Sequence, residues 1–438
     1  MTLIERLPRF ARSERALVAL ALALGFAIRV ALLLAGGLGP LDAGEATNGA
    51  VNWARHGYIG GVYRPDGLPS AHLLPVPILV AGSAYRLFGV QTASAEAVLG
   101  LLAIATVLGA FALLNTAFRG LGMDRTPRMA ALFFFCLVPL HASLEVGQFR
   151  VWDGGYALLL AAGLLALLVR ADATERVTTA AILGLGAVAA LLFFVSPLTG
   201  VAGYAACALF ALRRLAPKRW PLTILLAALP LAALIAPWTA RNAELMGKPI
   251  PLRSNFGLEL AIGFHEGALS ADPRAAFRAR MDAVHPYASD AAYRRMRAAG
   301  GELAYHAELQ RRTFDWIAAH PGSALRIAAA HLRQFIFPPT WMWHLYGDRS
   351  AATLPKAALM WAISVFGLAG MGYAALRLPA RWLYAVALAA LPVLPYLLVQ
   401  PILRYRYGFV VFGVFFGSLA AWEVVRRFVQ RPGAGSAR

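Results

Sequence analysis

Residues 73–88 read LLPVPILVAGSAYRLF, and the placement of this stretch decides the fold. It is apolar but short, broken by proline at its start, and it ends at Tyr85-Arg86. If it crossed a membrane, every later loop would change sides. The Arg-rich loops would then lie outside, against the tendency of Lys and Arg to stay on the inner side. We therefore read it as a helix lying along the outer interface.

The rest of the chain sets this problem by being so apolar. Of 438 residues, 59% are hydrophobic and 14% charged, with a mean hydropathy of +0.61. A soluble domain of this size needs more charge to cover its surface. Apolar runs recur from end to end, and they read as spans at about 16–35, 94–117, 129–146, 154–169, 177–195, 198–212, 220–238, 354–376, 382–399 and 406–425. The expected fold is an all-α polytopic membrane protein with about ten transmembrane helices and interfacial helices in two long outer loops.

The loops test that reading. With the N-terminus inside, the inner loops carry Arg119, Arg125 and Arg128, then Arg170 and Arg176, then Arg213, Arg214, Lys218 and Arg219, then Arg377 and Arg381. Arg426, Arg427, Arg431 and Arg438 follow in the tail. The short outer loops hold far less, which is the positive-inside pattern and puts both termini in the cytoplasm. At the start, Arg6, Arg9, Arg12 and Arg15 precede an apolar run that reads as an uncleaved first span rather than a signal peptide. Net charge is +19, but the basic residues sit in short loops between spans, so nucleic acid is not an expected partner. Cys136 and Cys207 lie inside apolar runs and read as small core residues. There is no GxxxxGK or HExxH motif, so nucleotide hydrolysis and zinc proteolysis lack support.

Three parts follow. Residues 1–238 form an N-terminal transmembrane module whose first outer loop is 36–93. Residues 239–353 form a long outer loop, with a second interfacial helix over 321–337, and residues 354–438 hold the last spans and the tail.

Candidate chemistry gathers at the outer ends. Asp42 and Glu45 are three residues apart and would share a face if helical. Two carboxylates there suit general-base work or a divalent ion, or they are solvated acids capping a loop helix. Arg55, Tyr58, Arg64 and His72 follow in the same loop. Arg150 and Asp153 either pair or face one cavity. Arg241, Asn242, Arg253, Asn255 and His265 lie in a segment that reads as irregular, rich in Gly and Pro, and the His265-Glu266 pair is a weak metal signal. Arg404, Tyr405 and Arg406 stand at the outer end of the last span, where arginine suits phosphate oxygens or snorkels to the interface. Arg29, inside the first span, is either functional or snorkelling.

The order of these pieces carries a resemblance. An early Asp in the first outer loop is followed by His72-Leu73-Leu74-Pro75, then by PWTARN, RSNFG, GELAYHAELQRRTFDWIAAHP and finally RYRY. This resembles the GT-C superfamily of membrane glycosyltransferases, in the branch of protein O-mannosyltransferases and lipid A aminoarabinose transferases. The resemblance implies transfer of a sugar, with inversion, from a polyprenyl-phosphate-linked donor to a lipid, glycan or protein acceptor. It places the enzyme among the lipids of a bacterial inner membrane, with the site facing the periplasm. Asp42 takes the place of the family's catalytic base, and Arg404 and Arg406, with Arg55 or Arg241, would hold the leaving phosphate. Two departures stand out: Asp42-Ala43 replaces an Asp-Glu pair, leaving Glu45 as the second acid, and His-Leu-Leu-Pro replaces His-Pro-Pro. Metal dependence, by a divalent cation, stays open. The rival readings are a transporter or flippase of a lipid-linked glycan and a non-catalytic assembly subunit.

Overall fold

The computed structural model describes residues 13–429, which form helices and connecting turns; a lone antiparallel bridge joins Gly60 to Pro69. The helices are α1 (Glu14–Ala35), α2 (Glu45–His56), α3 (Pro75–Phe88), α4 (Ala93–Leu121), α5 (Arg125–Leu137) and α6 (Gly154–Asp172). Next come α7 (Thr179–Val195), α8 (Pro197–Arg214), α9 (Trp220–Met246) and α10 (Phe256–Gly263). The chain continues through α11 (Pro273–Val284), α12 (Asp290–Ala298), α13 (Glu302–Ala319) and α14 (Pro321–Ile336). It ends with α15 (Thr353–Arg377), α16 (Leu383–Ala390) and α17 (Tyr407–Val429). Arg6, Arg9 and Arg12 at the start, and Arg431 and Arg438 at the end, lie outside the described residues.

The chain is a multi-pass membrane protein. Among the described residues, seven helical stretches are long and apolar enough to cross a bilayer: α1, α4, α6, α9, α15, the segment Ala380–Leu397 containing α16, and α17. The other three expected spans are helices outside that set. The 129–146 stretch breaks after Leu137, since Pro139 has no amide hydrogen to continue α5, and resumes as a π turn at Ser143–Gly147. The stretch 177–195 is the 17-residue α7, and 198–212 is the 18-residue α8, which ends on Arg213-Arg214.

Hydrogen bonds define the two ends of the bundle. At one end Arg128 pairs with Glu14 at 2.8 Å, Arg381 donates to Leu121 O at 3.1 Å, and Trp422 donates to Asp124 at 2.8 Å. Tyr384 joins them through Asp172 and Arg213. The inner Arg-rich loops of the sequence reading thus share this end. At the other end Gln91, just before α4, donates to Leu41 O at 3.3 Å, just after α1. The segment between α1 and α4 therefore leaves and returns at the same end. The 14-residue α3 packs on α2 and is not among the helices long and apolar enough to span.

Close packing relies on glycine at two contacts. A Cβ on Gly370 of α15 would sit 2.0 Å from Phe416 O, so α15 and α17 touch backbone to backbone there. A Cβ on Gly257 of α10 would sit 2.0 Å from His306 O, which fixes α10 against α13. Proline does the opposite for α16. Pro392 and Pro395 turn the residues after Ala390 into a 3-10 stretch, Leu391–Leu397, which opens space beside α6 and α17.

Candidate functional site

That space is an apolar cavity of about 400 Å³, walled by α6, the α7–α8 corner, the 3-10 stretch after α16, and α17. Ala157, Leu158, Leu388, Pro392, Val399 and Phe412 line its depth. Its mouth is charged, with Asp153, Arg253, Glu259 and Arg404. A smaller pocket of about 130 Å³ adjoins it and adds Glu45, His72 and His285. Trp152, Arg253, Asn255, Glu259, Arg404 and Tyr405 line both spaces, so an apolar slot opens onto a polar chamber through one shared wall.

Arginines dominate the shared wall. The Arg404 guanidinium lies over the Trp152 ring, 3.5 Å from its centroid, and packs on Tyr405 at 5.3 Å. Arg253 pairs with Asp153 at 3.6 Å, and its buried Nε has no partner among the described residues. A buried donor left unpaired invites an acceptor, and these two arginines offer a wall suited to an anion. Glu259 accepts from Asn255 at 3.3 Å, and burial pushes its pKa up against the pull of His285 and Arg404.

The polar chamber is built from three distant segments. Glu45 opens α2, His72 precedes α3, and His285 ends α11. Glu45 Oε1 lies 3.1 Å from His285 Nε2 and 4.0 Å from His72 Nε2. Burial alone would raise the Glu45 pKa, but His285, which hydrogen-bonds its carboxylate, outweighs burial and holds it at about 2. One ligand atom from each of the three lies within 4.8 Å of the others, so this cluster could hold a metal ion. His72 is fixed by its neighbours: Glu302 of α13 accepts from Ser70 at 2.5 Å and from Ala71 N at 3.1 Å, and it also holds Ser254. Buried, Glu302 has its pKa raised despite these bonds.

Asp42 and Glu45 do not share a helical face, because α2 begins at Glu45. Asp42 is exposed, accepting from Tyr287 OH at 3.0 Å and Gly44 N at 3.1 Å through Oδ1. It lines neither cavity. Its neighbour Ala43 accepts through its carbonyl from the Trp152 indole at 2.9 Å, which brings it next to the shared wall.

Of the other residues singled out from sequence, His72, Asp153, Arg253, Asn255, Arg404 and Tyr405 meet at the cavities. The remainder are placed elsewhere. Arg55 is exposed at the end of α2, and Tyr58 donates to Gly67 O. Arg64 clasps Tyr287 O at 2.9 Å and Asp290 at 2.8 Å. Arg150 does not pair with Asp153 but with the buried Glu96 at 3.0 Å, because Glu96 opens α4 beneath it and also takes Tyr85 OH. Arg241 and Asn242 are helical, in the last turns of α9, not in an irregular segment. Arg241 grips Ser70 O at 2.9 Å, and Asn242 donates to Ile250 O at 2.7 Å. His265 is half-buried outside both cavities, its pKa lowered by burial to about 4. Arg406 is fully buried and donates to Phe335 O and Ile336 O, carbonyls at the end of α14. Arg29 neither snorkels nor faces the site; it pairs with Glu145 at 2.8 Å.

Sequence reasoning missed Glu259 and His285. An acid inside the apolar run FGLELAIG was a usable signal for the first; nothing local marks His285 beyond the proline after it.

No family model and no curated protein matches the chain. Solved structures do. The archaeal oligosaccharyltransferase AglB from Archaeoglobus fulgidus, in complex with an inhibitory peptide and a dolichol-phosphate, matches at TM-score 0.50 and 15% identity, over 96% of this chain and 52% of that one. An Archaeoglobus fulgidus oligosaccharyltransferase in the apo form matches at TM-score 0.52 and 14% identity, over 94% and 50%. ArnT from Cupriavidus metallidurans bound to undecaprenyl phosphate aligns at TM-score 0.36 and 14% identity, over 95% and 80%. The chain thus spans about half the length of the oligosaccharyltransferases it matches. Their likeness to this chain is one of fold.

Proposed function

We propose that the chain is a glycosyltransferase that moves a sugar from a polyprenyl-phosphate carrier to an acceptor hydroxyl at the outer face of the membrane. The observation that carries this reading is the shared wall. A long apolar slot suits a polyprenyl tail, and Arg253 and Arg404 at its mouth suit the phosphate. The sugar would then lie in the chamber with Glu45, His72 and His285. The dolichol-phosphate in the complex of the similarly folded AglB agrees in chemistry with such a tail and head group.

In this reading the acceptor oxygen attacks the anomeric carbon, with inversion. The bond from that carbon to the carrier phosphate breaks, and the phosphate leaves on its lipid against Arg253 and Arg404. Asp42, exposed beside the wall, takes the acceptor's proton. A divalent cation at the Glu45 cluster would add positive charge next to the leaving phosphate. In this reading the site faces the periplasm of a bacterial inner membrane, with both termini in the cytoplasm, a sidedness that the arginine distribution supports.

A transporter would keep open ionisable groups along its path. Here the buried pairs Arg29–Glu145 and Arg150–Glu96 are closed and lie off the cavity. Purified protein supplied with defined polyprenyl-phosphate sugars and candidate acceptors tests the assignment. Asp42→Asn is expected to fold, melt like the wild type and lose transfer by roughly 10²–10⁴-fold, the range for removing a positioned base. Undiminished transfer by that variant eliminates Asp42 as the base.

A further inference from the structure

The hydrogen bonds around the Glu45 cluster assign its protons. His306 Nδ1 lies 3.0 Å from Ser254 O. A carbonyl oxygen only accepts, so this nitrogen carries the hydrogen. Burial holds His306 neutral, with its pKa pushed down to about 4. Its Nε2 therefore has a free lone pair, and that atom is 3.3 Å from Tyr63 OH. Tyr63 has one proton to give and gives it there. Its oxygen, 2.9 Å from His72 Nδ1, must then accept from that nitrogen. The His72 ring is buried, which disfavours a second hydrogen on it. With its hydrogen on Nδ1, its Nε2 lone pair faces Glu45 Oε1 at 4.0 Å.

His285 is set the other way. The backbone N–H of Tyr287 donates to its Nδ1 at 3.2 Å, so its hydrogen is on Nε2, which donates to Glu45 Oε1 at 3.1 Å. The two histidines beside one carboxylate are thus opposite tautomers. His72 and Glu45 present two acceptors to each other, an arrangement that a cation between them relieves.

Building on the transfer reading and its cation, we infer that Tyr63 and His306 are positioning residues that hold His72 as the Nε2 ligand of a divalent cation shared with Glu45. His285 is then not a ligand but the donor that orients Glu45. The chain Ser254–His306–Tyr63–His72 ties the RSNFG segment to the GELAYH segment: Glu302 and His306, one turn apart on α13, both reach Ser254.

Titration of Zn²⁺ and of Mn²⁺ into the metal-stripped, full-length protein in detergent, followed by calorimetry, reads the assignment directly. His72→Gln is expected to abolish binding. Tyr63→Phe is expected to weaken it roughly 10–100-fold, the usual effect of losing a partner behind a ligand. His306→Gln, whose amide oxygen can still accept from Tyr63, keeps the affinity, while His306→Leu weakens it as Tyr63→Phe does. His285→Gln also keeps it, because its amide still donates to Glu45. Equal losses in His72→Gln and His285→Gln, or full affinity in Tyr63→Phe and His306→Leu, overturn the relay while leaving the cation in place. A wild-type protein that binds neither ion removes both, and the Asp42→Asn transfer assay then judges the transfer reading alone.

Discussion

Arg404 and Arg406 stand two residues apart on one turn, yet one faces the cavity and the other seals the bundle. Arg404 lies over the Trp152 ring and lines the chamber. Arg406 points inward and caps Phe335 O and Ile336 O, with Ser364 at 3.0 Å. Those carbonyls need a donor because Pro339 has no amide hydrogen to offer Phe335 O. Arg29 repeats the device. Pro139 orphans Phe135 O, and Arg29 donates to it at 2.8 Å and to Cys136 O at 3.2 Å while pairing with Glu145. Tyr407 OH takes the remaining Glu145 oxygen at 2.7 Å. The contrast teaches that a charge in an apolar chain is not by itself a functional sign. Charges that close on themselves repair broken helices; those with an open edge bound the cavity.

Substitutions can break this contrast. Arg253→Gln and Arg404→Gln should each lower transfer by roughly 10²–10³-fold, as for loss of a preorganised donor to developing charge, with little change in melting temperature. Arg29→Met should do the reverse. It leaves Glu145 buried and unpaired, at a cost of about 3–5 kcal/mol, visible in a detergent melt, and adding Glu145→Gln should restore much of the loss. An Arg406→Met protein that melts normally but no longer transfers would place Arg406 with Arg404 and undo the contrast. Gly257→Ala should destabilise by about 1–3 kcal/mol, because the new methyl meets His306 O. Arg55→Ala, at an exposed position, should stay within about 0.5 kcal/mol and transfer normally; a large loss there would reveal a role for the α2 terminus.

Much of the architecture was legible because hydrophobic length and arginine placement act locally along the chain. The path of residues 73–88 is the clearest case: proline at the start and Arg86 at the end mark a helix too short to traverse, and Gln91 does return beside Leu41. The break in α5 was less legible, since Phe133–Leu140 is uniformly apolar and only Pro139 hints at it. At the site, His72, Asn255, Arg404 and Tyr405 were chosen and do meet, whereas Arg150 and Arg241 were chosen for the same reasons and turned out to be fasteners. Type and position along the chain were equal in both sets.

The sequence by itself determined that this protein lives in a membrane, which loops share a side, and that its candidate polar groups collect at the end opposite the Arg-rich loops. Those properties follow from transfer of each segment into lipid, which depends on composition over some twenty residues. Only the tertiary structure decided which charges are free to act. Glu45, His72 and His285 are brought together from three separate segments, and Arg406 is turned from the cavity by the helix it caps. Pairing of that kind depends on atoms within hydrogen-bond reach, and that reach is set by packing between segments far apart in the chain.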